Sequence, residues 1–267
     1  MKNLLLTLFK IALGVYVLLC IILYFFQEKL IFLPQRLDKN FEFKFRQSFE
    51  EMSIKTKDGK LLNGLLFKSP NSKGLIFYLH GNAGNLSSWG GVAEVYTALN
   101  YDVFMIDYRG YGKSEGSISS QNQLFEDNQI AYNELKKSYK EEQIIILGYS
   151  IGTGLASKLA SENNPKLLIL QAPYYSLTDM LKQRLAIIPS FLLKYKLANN
   201  EYLKSCKMPL VIFHGDADEV IYYGSSLKLQ KEFKQGDILI SLAGEGHNGM
   251  SNNPNYREEL AKILARQ

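Results

Sequence analysis

The stretch GYSIG, residues 148–152, sets one serine between two glycines at the end of an unbroken apolar run. Ser150 is therefore a candidate nucleophile, and a serine hydroxyl attacks a carbonyl only when a base takes its proton, usually a histidine oriented by a carboxylate. His247, in GEGHN (244–248), follows the last apolar run and is late enough in the chain to be that base. Between the two lies HGDADEV (214–220), which offers Asp216, Asp218 and Glu219. Asp218 is the expected acid and Asp216 the alternative, because the loop must turn before its carboxylate can reach a histidine on a neighbouring strand end. Acyl transfer also needs N–H donors aimed at the developing oxyanion, and backbone amides serve without reorganisation. Ile151, next after the serine, is the first such donor; Asn82 in HGNAGN (80–85) is the second, with Ala83 its near rival. The remaining histidines, His80 and His214, precede glycines in earlier loops and are expected to organise those loops by hydrogen bonds.

Such residues act together only if a scaffold brings their loops to one edge. Continuous Ile-, Leu- and Val-rich runs occur at 74–80, 102–108, 143–149, 167–172, 210–215 and 237–243, a pattern that predicts strands buried on both faces. Helix-length amphipathic segments between most of them predict right-handed crossovers and a mostly parallel, doubly wound α/β sheet. Ligands bind beyond the carboxyl ends of such strands, and all three histidines stand just after apolar runs. Before the parallel part, EMSIKT and LLNGLLFKS flank Lys57-Asp58-Gly59, which predicts an N-terminal antiparallel hairpin. A helix-capping serine is the plainer reading of the pentapeptide alone. QIIIL before it and GLASKLASENN after it supply the strand and helix that a nucleophile elbow requires.

The first segment is apolar from Leu4 to Phe26 apart from Thr7, Lys10, Gly14 and two tyrosines, long enough to span a bilayer as one helix. A membrane anchor is expected. No small-x-small cleavage pattern follows Phe26, which argues against a removable leader; a buried core helix is the other alternative. Basic residues stand on both sides, Lys2 and Lys10 early and Lys29, Arg36, Lys39, Lys44 and Arg46 after, so the charge asymmetry that orients a span is balanced. A net charge of +5, scattered rather than striped with aromatics, gives no support to nucleic-acid binding. Two distant cysteines, Cys20 and Cys206, provide neither a disulfide framework nor a cysteine metal site. The insertion at about 174–208 is too long for a plain crossover and predicts a small helical cap, whose mix of Leu, Ile, Phe and Tyr with Lys182, Arg184, Lys194 and Lys196 suits covering an apolar pocket and touching a membrane surface. The resulting division is an anchor at 1–29, a linker at 30–50 and a catalytic domain at 51–267.

From about Ile54 onward the chain resembles the α/β-hydrolase superfamily, and more narrowly its membrane-anchored Bem46-type branch with the eukaryotic α/β-hydrolase-domain depalmitoylases. The resemblance is carried by HGNAGN, DYRGYGKSEG, GYSIGTG, APYYSLTDM, HGDADEV and GEGHN together with the N-terminal anchor, and by the chain order Ser, Asp, His. It implies the α/β-hydrolase fold, places the acid at Asp218, and implies serine hydrolysis of esters or thioesters. The apolar cap and the anchor make lipids or acylated proteins the expected substrates, and the triad chemistry needs no metal or organic cofactor. A serine peptidase of the same fold and a catalytically silent binding protein are the alternatives. Dehalogenases and epoxide hydrolases of this fold place Asp where Ser150 stands.

Overall fold

Side chains alternate across each strand, so a run that is apolar at every position must bury both faces, and the interior of the sheet is built this way; the expectation fails for the last run, where the edge strand Ile238–Leu242 has one neighbour and buries only Leu242. Along Ile144–Tyr149, Ile144 and Ile146 enter one core cluster while Ile145 and Leu147 enter the other, on the opposite face. Each such side chain contributes on the order of 1.5–3 kcal/mol by leaving water.

The computed structural model describes residues 1–266. In chain order its elements are α1 (Lys2–Ile31), β1 (Leu33–Pro34), β2 (Phe49–Lys55), β3 (Leu61–Phe67), β4 (Leu75–Leu79), β5 (Ala83–Gly84), α2 (Leu86–Trp89), α3 (Ala93–Thr97), β6 (Asp102–Ile106) and α4 (Gln121–Leu135). They continue as β7 (Ile144–Tyr149), α5 (Gly152–Ser161), β8 (Leu167–Gln171), α6 (Leu177–Arg184), α7 (Asn199–Leu203), β9 (Leu210–Gly215), α8 (Gly224–Leu229), β10 (Ile238–Leu242) and α9 (Pro254–Ala265). Eight strands form the main sheet in the order β10-β9-β8-β7-β4-β6-β3-β2. The pairs from β10 to β6 are parallel; β3 is antiparallel to both β6 and β2. This is the mostly parallel α/β sheet with an N-terminal hairpin that the apolar runs predict, and the hairpin turns at Gly59, whose φ of +80° falls where glycine is unstrained.

Residues 33–49, expected as a linker, lie against the domain. The two-residue strand β1 pairs in parallel with β5, immediately after β4. Gly112 N–H donates to the Gln35 carbonyl and Leu37 N–H to the Gly112 carbonyl, each at 2.9 Å. Farther on, the Phe45 ring meets Phe67 of β3 at 5.2 Å. Residues between β8 and β9 form α6, a 3-10 turn at Ser190–Leu192 and α7 over the carboxyl edge of the sheet. Ser176 starts α6 by accepting the Asp179 N–H. α1 is long and apolar enough to cross a membrane, and none of its most apolar window is buried in the protein.

Candidate active site

Strand β7 delivers the chain to Ser150 in a left-handed conformation, φ +53°. A residue with a Cβ is strained there by about 1–2 kcal/mol, and the surroundings impose it. The Ser150 N–H donates to the Gln171 carbonyl at 2.9 Å, and the Ser150 carbonyl accepts both the N–H (3.0 Å) and the hydroxyl (2.6 Å) of Thr153. The flanking glycines are required by contact: a Cβ on Gly152 would collide with the Leu79 carbonyl of β4, and one on Gly148 with the Gly152 carbonyl and Ala156. The elbow is thus pressed against the end of β4, the start of the HGNAGN loop.

The structure brings together the three side chains singled out in the sequence. Ser150 Oγ lies 3.0 Å from His247 Nε2, and His247 Nδ1 lies 2.8 Å from Asp218 Oδ2. An ionised Asp218 accepts at Nδ1–H, which leaves Nε2 of a neutral imidazole as the acceptor for the serine proton. The Asp218 side chain is fully buried, and its Oδ1 accepts the N–H of Val220 at 2.8 Å and of Ile221 at 2.7 Å. Burial alone would raise its pKa; hydrogen bonds from His214, His247 and the Ile221 amide outweigh that and hold the carboxyl well below the ordinary carboxylate range. Asp216, the alternative, is exposed and accepts the Gly244 N–H at 2.7 Å, so it ties the acid loop to the loop that carries His247. Tyr149 fixes that second loop from the elbow side, donating its hydroxyl to the His247 carbonyl and setting its ring 5.4 Å from the imidazole.

The other two histidines serve these loops. His214 Nε2 lies 3.0 Å from the Ile221 carbonyl and 3.3 Å from Asp218 Oδ2, both acceptors, so it carries the proton and Nδ1 accepts from Ser226 Oγ at 2.6 Å. His80 Nδ1 donates to the Gly81 carbonyl at 2.7 Å, while its Nε2 faces Asp107 Oδ1 at 3.4 Å. Burial pushes the Asp107 carboxyl up, opposed by His80 and by the Leu86 N–H that Asp107 accepts at 3.1 Å.

Neither the Asn82 nor the Ile151 N–H donates to a backbone carbonyl among the described residues, and both residues line the cavity into which Ser150 opens. Ala83 belongs to β5 and is engaged by its pairing with Leu33. The Asn82 side chain holds the end of α1, donating to the Ile31 carbonyl at 2.6 Å and accepting from Leu33 N–H at 3.1 Å and the Tyr111 hydroxyl at 3.0 Å. The cavity measures about 530 Å³. Leu177, Met180 and Leu181 of α6 wall one side, and Leu30 and Ile31 at the end of α1 with Leu33 just after it wall another. Among its lining residues there is no carboxylate, and Arg184 is the one permanent charge. No cluster of three or more His, Cys, Asp or Glu side chains placed to hold a metal occurs among the described residues. The sequence reading missed the part that residues 30–34 play here; the signal was present in the apolar LIFLP that resumes directly after Gln27-Glu28-Lys29.

Comparison with known proteins agrees with this architecture. The hydrolase family described as serine aminopeptidase, S33, matches residues 70–205, about half of the chain. The bem46 protein of Schizosaccharomyces pombe is 33% identical over 189 residues, 66% of this chain; the match spans 63% of that relative, a little under two thirds of its length. The YfhR protein of Escherichia coli (strain K12) is 30% identical over 233 residues, covering 81% of each chain. Alpha/beta hydrolase domain-containing protein 17B of Homo sapiens is 27% identical over 242 residues, covering 88% of this chain and 82% of its own. Among solved structures, the esterase Pf2001 of Pyrococcus furiosus superposes with a TM-score of 0.70 at 20% identity, covering 88% of this chain and 97% of that one, a likeness of fold.

Proposed function

The chain belongs to the α/β-hydrolase family that includes the Bem46-type proteins, and from that membership we propose that it is a membrane-tethered serine hydrolase cleaving carboxylic ester or thioester bonds through an acyl-enzyme. The observation that carries this reading is the unbroken line Asp218–His247–Ser150, each link at hydrogen-bond distance. His247 Nε2 takes the hydroxyl proton as Ser150 Oγ bonds to the substrate carbonyl carbon. The carbonyl oxygen becomes an oxyanion between the Asn82 and Ile151 amides, each donor of this kind being worth about 2.7–4 kcal/mol in the transition state. Collapse breaks the bond to the alcohol or thiol, which leaves with the proton that His247 returns. Water then repeats the sequence against the acyl-enzyme and frees the acid and Ser150. Asp218, kept anionic by its neighbours, stabilises the imidazolium in both halves.

Substrate class follows from the walls of the cavity. Leu, Ile, Met and Tyr side chains gain by burying an acyl chain, whereas an aminopeptidase must hold its substrate's ammonium group against an anion. Among the described residues no carboxylate lines this cavity, which favours the ester reading over the peptidase reading that the family's description suggests. Tethering is assigned to α1: its 30 residues rise about 45 Å, enough to cross a hydrocarbon core of about 30 Å with nearly three turns to spare.

The test is a rate series for the full chain in detergent, with p-nitrophenyl esters of increasing acyl length against aminoacyl p-nitroanilides. Esters are expected to be hydrolysed faster, with an optimum beyond the shortest acyl groups. Faster cleavage of the anilides would replace this reading with the peptidase one, and failure of well-folded protein on both would replace it with the binding-protein one.

A further inference from the structure

We propose that residues 185–193 form an arm that enters the bilayer hydrocarbon beside α1, and that acyl substrates pass along it from the bilayer into the Ser150 cavity; the second half rests on the serine-hydrolase reading above. The arm reads LAIIPSFLL, without a charge, and is bracketed by Lys182 and Arg184 before it and Lys194 and Lys196 after it. Its two outermost side chains, Ile187 and Phe191, are 75% and 82% exposed, the reverse of what a cap folded only against its own domain would show. An apolar tip between cations is the pattern of a segment that sinks into a membrane while its charges stay at the headgroups.

The position of the arm along α1 makes the case specific. The Tyr16 hydroxyl donates to the Ile187 carbonyl at 2.8 Å, and Gln27 Nε2 donates to the Leu192 carbonyl at 3.1 Å. Tyr16 and Gln27 are eleven residues apart on one helix, a rise of about 16 Å, so the arm runs alongside the apolar part of α1 rather than above it. Where α1 crosses the membrane, the arm is carried about a third to a half of the way into a hydrocarbon core of about 30 Å. At the level of Gln27 the polar groups return: Lys194 Nζ lies 3.1 Å from Glu28, which also accepts the Tyr195 hydroxyl at 3.2 Å.

Irregular backbone survives among lipid tails only where its N–H and C=O groups find partners, and this arm supplies many of them. The N–H groups of Leu185, Ile188, Leu192 and Leu193 donate to carbonyls three or four residues back, and the N–H of Lys194 donates to Gln27 Oε1 at 2.8 Å. Pro189 has no N–H to satisfy. The carbonyls of Ile187 and Leu192 are the two that α1 caps with side chains. Tyr16 and Gln27 are thereby explained: they are polar residues in an apolar helix, each turned to the arm's backbone. At its base the arm becomes the rim of the cavity, since Leu185 and Leu193 line it together with Leu30 and Ile31. Apolar side chains of the arm therefore lead from its exposed tip, Ile187 and Phe191, to Leu185 and Leu193 in the wall of the Ser150 cavity.

The experiment uses the full chain in phosphatidylcholine vesicles. Phe191→Trp, with the wild-type Trp89 signal subtracted, is expected to be quenched by lipids brominated along the acyl chain; emission and quenching typical of an aqueous side chain would overturn the insertion. The double variant I187D/F191D is expected to keep the wild-type rate on soluble p-nitrophenyl acetate and to lose about tenfold or more on a long-chain ester dissolved in the vesicles, since a carboxylate in hydrocarbon is costly. An unchanged vesicle rate would overturn the entry route. A protein surface as the true partner would appear as an aqueous Trp signal together with an unchanged vesicle rate. Wild type inactive on both esters would sink the hydrolase reading and the route with it, while the quenching would still decide the insertion.

Discussion

Asp218 and Asp216 are two residues apart with the same chemistry, and their hydrogen bonds separate them. Asp218 accepts two loop amides with one oxygen and meets His247 with the other; Asp216 accepts the Gly244 amide at the surface. Asp218→Asn is expected to lower kcat by about 10⁴, the scale of the same change in other triads, because a carboxamide favours the wrong imidazole tautomer. Asp216→Asn is expected to stay within about fivefold of wild type, an exposed contact of this kind being worth about 1 kcal/mol. Steady-state kinetics on one soluble ester checks both, and the opposite ranking would move the acid to Asp216. The depressed pKa of Asp218 also shapes the pH profile. A carboxyl lowered on folding contributes stability that is present above its ordinary value near 3.8 and is lost as pH falls through the lower folded value. It is ionised throughout the range in which an imidazole titrates, so the acid limb of log kcat/KM is expected to have a slope of one; a slope of two would show a second group titrating with the base.

Elements position these residues through contacts that differ in how far they reach along the chain. β5 and the Asn82 side chain join the HGNAGN loop to the end of α1, some fifty residues earlier, so the amide proposed for the oxyanion is braced by the end of that helix and the strand after it. Asn82→Ala retains that amide but removes its bracing. It is expected to lower kcat on a soluble ester by about 10–100-fold with KM little changed, less than the 10²–10³ for losing a donor outright; a change confined to KM would contradict the role. The difference in reach also explains what the sequence discloses. That Ser150, His247 and the loop of Asp218 meet at one edge of the sheet was legible because each follows an apolar run that is a strand on its own composition, β7, β10 and β9. The hairpin of β2 and β3 was legible from Lys57-Asp58-Gly59. The pairing of Leu33–Pro34 with Ala83–Gly84 was not, since two residues carry no period and the partner is set by where α1 stops. The choice between the acids was open in the residues themselves because it depends on which carboxylate the Val220 and Ile221 amides turn inward.

Taken whole, the molecule couples an apolar helix to a hydrolase sheet through the cavity itself. Leu30 and Ile31 end α1 and Leu33 follows it, while α6 and the following arm close the opposite side, so the proposed membrane helix and the cavity share walls. A tether joined only by a slack linker would not build the pocket. Full-length protein is therefore expected to remain in the membrane pellet after alkaline carbonate treatment, to come out with detergent, and to have the mass of the uncleaved chain. Release by carbonate, or a mass lacking the first 26 or so residues, would show that α1 is removed or peripheral rather than a spanning anchor.

An activated Ser150 nucleophile is read most directly by covalent labelling. Detergent-solubilised wild type and Ser150→Ala, shown by thermal melts to be equally folded, would be treated with a fluorophosphonate probe and the adduct located by peptide mass. One adduct on Ser150 is expected in wild type and none in the variant. An unlabelled wild type, or labelling that survives the loss of Ser150, would contradict that expectation.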